Sequence, residues 1–102
     1  MAKVVISEST ARKIVKHLKS EIIDLRKRLK IIELELKSLE EKYGVSSIDL
    51  EKMISGEKPW SLPEDADLDV VEWEALIEQR KILRQKLEEL EKLWKDLRQN
   101  ID

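Results

Sequence analysis

Residues 15–43 read VKHLKSEIIDLRKRLKIIELELKSLEEKY, and the apolar positions within this stretch decide the fold. Val15, Leu18, Ile22, Leu25, Leu29, Ile32, Leu36, Leu39 and Tyr43 recur at alternating intervals of three and four. That is an unbroken a/d heptad seam, with a positions at Val15, Ile22, Leu29, Leu36 and Tyr43. A helix over residues 7–43 would be about 55 Å long. It cannot bury such a seam against itself, so it needs a partner helix. Ser7 or Ser9 is placed to cap its start, with Glu8 in the first turn.

The helix has a clear stop. Gly44 stands where a left-handed residue is wanted, and Val45 follows as the apolar residue that reaches back to Leu39. Ser46 then caps a short helix over about residues 47–54, with Asp49 in the acidic position of a capping box and Val45 and Leu50 spaced as a hydrophobic staple. Ser55 and Gly56 end it. A loop over about residues 56–66 carries both prolines, Pro59 and Pro63, neither of which suits a helix interior. Trp60 lies between them. It either folds back as a lid on the hairpin end or stands out as an anchor for a partner.

The last helix spans about residues 67–100, with Ser61, Asp65 and Asp67 as rival N-caps. Its seam is Trp73, Leu76, Leu83, Leu87, Leu90, Trp94, Leu97 and Ile101, with Arg80 filling one a position. Val70, Ile77 and Leu93 lie beside the seam and broaden it beyond what two strands need. Two long helices joined by a reversing linker make an antiparallel hairpin. The expected fold is therefore all-α: a single helical-hairpin domain over residues 1–102. The broad stripe further predicts dimerisation into a helical bundle through Ile22, Leu25, Leu29, Ile32, Leu36, Leu83, Leu87, Leu90 and Trp94. One antiparallel register sets Glu33 against Arg84 and Arg26 against Glu91, although it also brings Lys19 near Arg98.

The composition excludes much chemistry. There is no Cys, which rules out disulfides and thiolate metal sites, and one His, so no His cluster forms within a chain. No Gly-rich loop offers a phosphate cradle, and no nucleophile–base pair stands out. His17 falls mid-helix in a charged stretch. Carboxylate pairs are too common among 22 acidic residues to carry information. The chain reads as non-catalytic, with no metal and no cofactor. No apolar run approaches the ~20 residues of a membrane span, and the apolar patch Val4-Val5-Ile6 is too short for a signal peptide. A cytoplasmic location is expected.

Near-neutrality hides an uneven distribution of charge. Residues 1–42 carry 11 basic and 7 acidic side chains, residues 44–79 carry 2 and 10, and residues 80–102 carry 7 and 5. Glu64, Asp65, Asp67, Asp69, Glu72 and Glu74 crowd into eleven positions. Some of them complement a helix N-terminus; together they also make a surface suited to a basic partner. Arg12, Lys13, Lys16, His17 and Lys19 form a basic patch on the first helix. It reads as a solvated face, since no aromatic interleaving or DNA-binding motif accompanies it.

The turn carries a resemblance. Glu41-Lys42-Tyr43-Gly44-Val45-Ser46, then Gly56-Glu57, then Asp69-Val70-Val71-Glu72-Trp73-Glu74-Ala75-Leu76 resembles a set of small helical prokaryotic proteins with the pattern Lys-Tyr-Gly-x-Ser, Gly-Glu and Glu-Trp-x-Ala-Leu. Those proteins are regarded as the antitoxin halves of toxin–antitoxin pairs. Residues 58–63 are longer and richer in proline than their linker. The resemblance implies a chain that binds and neutralises a cognate toxin, often RNase-like or nucleotidyltransferase-like. The residues assigned to that contact are Tyr43, Trp60, Asp65, Asp67, Asp69 and Trp73. Two alternatives remain open on the residues alone: a self-assembling structural or chaperone-like coiled coil, and a nucleic-acid-associated regulator using the basic first helix.

Overall fold

The computed structural model describes residues 7–99; the seam position Ile101 and the apolar patch at Val4-Val5-Ile6 lie outside the described residues. The elements are α1 (Glu8–Tyr43), α2 (Ser47–Ile54), a 3₁₀ turn (Glu64–Ala66) and α3 (Asp67–Gln99). The two long helices run antiparallel as a rod with extents of 60 × 27 × 18 Å.

Ser7 caps α1, its Oγ accepting from the Thr10 N–H at 3.2 Å. The predicted seam faces inward along the whole of α1: Leu18, Ile22, Leu25, Ile32 and Leu36 are buried, and Val15, Leu29, Leu39 and Tyr43 half-buried. Gly44 ends the helix in the left-handed region, φ 65°. Its N–H and that of Val45 both donate to the Glu40 carbonyl, at 2.8 and 3.2 Å, which satisfies a helix-end acceptor and turns the chain.

The register of the hairpin is the expected one. Arg26 pairs with Glu91 at 2.8 Å and Arg84 with Glu33 at 3.1 Å. Both bridges are exposed and contribute little energy, ~0.2–1 kcal/mol each. The register is held by the seam, because a slip would carry Leu36 and Trp73 out of the core.

The core is concentrated at the turn. Ile32 and Leu36 of α1, Leu50 and Met53 of α2, Leu62, Ala66, and Val70, Trp73, Leu76 and Ile77 of α3 form one buried cluster. Toward the open end of the rod, burial on α3 thins: Leu83, Leu87, Leu90, Trp94 and Leu97 are only half-buried. Two helices alone cannot enclose these positions. Val70 and Ile77, expected beside the seam, belong to the deepest part of it, because α2 and residues 62–66 close over that side of α3. Leu93 stays exposed.

None of the three rival caps starts α3. Pro63 takes the capping position of the 3₁₀ turn with extended backbone and no side-chain cap, and the Ala66 N–H donates to its carbonyl at 3.1 Å. The 3₁₀ turn feeds directly into α3. Proline suits this place, since its fixed φ matches the observed −67°. Ser46 does cap α2, accepting from the Asp49 N–H at 3.0 Å. The acidic partner differs from the expected box: Glu40 of α1 accepts from the Ser47 N–H at 2.6 Å, while Asp49 pairs with Lys58 at 2.6 Å and ties the loop to α2.

Candidate functional site

The residues singled out at the turn separate into an internal brace and an outer surface. Trp73 is at the centre of the brace and is 0% exposed. Its Nε1–H donates to Ser47 Oγ at 2.9 Å, a buried bond joining α3 to α2. Tyr43 stacks on its indole, with ring centroids 5.9 Å apart and planes 23° apart. The Tyr43 hydroxyl in turn donates to Asp69 Oδ2, and Lys42 donates to the same oxygen at 2.7 Å. Three helices are thus joined through one tryptophan and one carboxylate.

This arrangement corrects part of the expected contact surface. Trp73 is enclosed within the chain and presents no surface. Tyr43 and Asp69 are half-buried and engaged with each other. Trp60, Asp65 and Asp67 remain at the surface, with Trp60 49% exposed. It is Leu62, two residues on, that folds back into the core as the lid. Two apolar side chains that periodicity did not single out join the outer surface: Leu68 is 86% exposed and Val71 68%. Ile48 and Ile54 of α2 are exposed at the same end. Leu68 and Val71 face away from the seam, so a search for outward apolar residues at helical spacing would have found them.

The electrostatics follow from the pairing. The hydrogen bonds from Lys42 and Tyr43 hold the Asp69 carboxyl below its ordinary value. The same bond raises the Tyr43 phenol, helped by desolvation, and raises Lys42. Lys58 holds Asp49 below the usual carboxylate range. Glu64, Asp65 and Asp67 are exposed and make no ion pair among the described residues, and they directly precede Leu68 in the chain.

Away from the turn, Trp94 sits half-buried beside Ile22, Ile23 and Glu91, with the Arg98 guanidinium 5.1 Å from its ring centroid. Its indole N–H is shielded and has no hydrogen-bond partner among the described residues. No group of three or more His, Cys, Asp or Glu is placed to hold a metal ion among the described residues. No helix there is long and apolar enough to cross a membrane.

Fold and site together define a helical-hairpin protein with a braced turn and an acidic, apolar outer surface. A family model matches residues 1–95, and the chain belongs to the family described as "Uncharacterized protein MJ0235 family". No curated protein and no solved structure matches the chain.

Two outcomes test the brace. Ser47→Ala leaves the Trp73 N–H buried without a partner, so it should destabilise the protein by ~1–3 kcal/mol; a thermal melt matching wild type would remove the bond from the account. Asp69 supplies the pH dependence. Its folded pKa is depressed, so its contribution is present above the unfolded value, near 4, and is lost as pH falls through the folded value. Urea unfolding against pH should show that acid-side loss in wild type and a smaller one in Asp69→Asn.

Proposed function

We propose that this protein is a non-catalytic interaction module of the cytoplasm whose turn end binds another protein, and that the partner is the toxin of a toxin–antitoxin pair. The observation that carries the binding role is the exposure of the apolar side chains Trp60, Leu68 and Val71 in the same segment, residues 60–71, as the unpaired carboxylates Glu64, Asp65 and Asp67. Large apolar side chains exposed on a rigid support and rimmed by charge are typical of contact surfaces. Leu68 and Val71 stand on the same helix as the Trp73 brace, which holds that helix in place, so little ordering entropy is lost on binding there. The acidic rim favours a partner with a basic face, as a protein acting on nucleic acid has. The toxin assignment rests on the Lys-Tyr-Gly-x-Ser and Glu-Trp-x-Ala-Leu resemblance, which supplies the partner class.

The test has two stages. Tagged protein captured from its native lysate should bring down one stoichiometric partner with toxic, nuclease-like or nucleotidyl-transferring activity, and adding the chain should suppress that activity. Recovery of many unrelated clients, or of the chain alone, counts against the toxin reading. Trp60→Ala should then weaken binding by more than ~1 kcal/mol, roughly fivefold or more, without changing the melting temperature. Unchanged affinity in that variant would remove the turn end from the interface.

A further inference from the structure

We infer that a second copy of the chain docks antiparallel on the middle of the rod, with α1 lying on α1 across a two-fold axis, independently of what the turn end binds. The site is the groove between α1 and α3 lined by Ile31, Ile32, Leu76, Ile82 and Leu83 and rimmed by Arg28, Glu35 and Gln79. Ile31 is 57% exposed and Ile82 55%, and they face each other across it. Two isoleucines exposed over a groove whose floor already belongs to the core are the broad part of the stripe that two helices leave uncovered.

Charge selects the occupant and its direction. Arg28 and Glu35 are one heptad apart, about 10 Å along α1, and bracket Ile31. Neither makes an ion pair among the described residues. A two-fold axis crossing the helices near Ile31 places Arg28 of each copy against Glu35 of the other. Glu21 and Lys42, one heptad further out on either side, are again opposite in sign but already pair within the chain, with His17 and Asp69, so Arg28 and Glu35 carry the selection. A parallel pairing of α1 on α1 would set like against like at each of these positions.

The long-range distribution agrees. The acidic segment lies at the turn and the basic segments toward the open end. Tyr43 is about 18 Å along the helix from Ile31, so reversal about Ile31 brings each turn beside the Lys16–Lys19 region of the other copy. The rod face measures 60 by 27 Å, and about half of it matches the ~800 Å² per partner of a standard interface. A two-fold contact of this kind is self-complementary by construction.

Sedimentation of the full chain at about 100 µM, over a range of protein concentrations, reads the result. Wild type should sediment at twice 12.0 kDa. Arg28→Glu should weaken the dimer about tenfold or more, because two carboxylates then meet where Arg28 faced Glu35. Glu35→Arg should do the same, and the double exchange R28E/E35R should restore the wild-type association. Arg28, Ile31 and Glu35 are all on the surface, so helicity and melting of the monomer serve as the folding control. As an independent readout in a chain without cysteine, Ile31→Cys should form an intermolecular disulfide on oxidation, with its partner at the same position. A monomeric wild type, a double exchange no better than either single variant, or an Ile31→Cys chain that does not cross-link would each overturn the proposal.

Discussion

The indole of Trp73 is the point on which the turn depends. It is enclosed on every side, and its one polar atom is satisfied by Ser47. A buried indole without that bond would carry the cost of an orphaned donor, so α2 must sit where its first residue reaches the ring. Ser47 is held there by its backbone as well, since its N–H donates to Glu40 of α1. Tyr43 closes the opposite side by stacking, and its hydroxyl returns the chain to α3 through Asp69. The left-handed Gly44 and the Ser46 cap make this geometry possible by reversing the chain within three residues of Tyr43.

The consequence is a molecule with a gradient of order. Near the turn, three helices and the folded-back Leu62 enclose a buried cluster. Further along, only two helices are present: Leu18, Ile22 and Leu25 of α1 stay buried, while the facing residues of α3 are half covered. The same gradient underlies both proposed binding surfaces. The turn end is stiff enough to present Trp60, Leu68 and Val71 without rearrangement, while the middle of the rod has apolar area to spare because two helices cannot cover a stripe this broad.

Much of this was legible in the residues. The heptad spacing from Val15 to Tyr43, the Gly44 stop and the Ser46 cap gave the helix bounds closely, and the charge pattern gave the register through Arg26–Glu91 and Glu33–Arg84. Periodicity reports which face of a helix is apolar, not how many elements cover it. For that reason Trp73 could be placed on the seam but not recognised as wholly enclosed by α2. Leu62 and Ala66 were missed as core residues because a loop and a 3₁₀ turn have no period to read. Leu68 and Val71 were missed for a different reason: their outward helical spacing is visible in the residues, but their role shows only when the neighbouring surface is known.

Native-state hydrogen exchange of the chain alone tests the central claim most directly, that a braced turn supports a looser rod. The account predicts the slowest amide exchange in residues 32–36, 50–53 and 70–77, and progressively faster exchange along α1 toward Glu8 and along α3 toward Gln99. Uniform protection along both long helices, or faster exchange around Trp73 than at the open end, would contradict it.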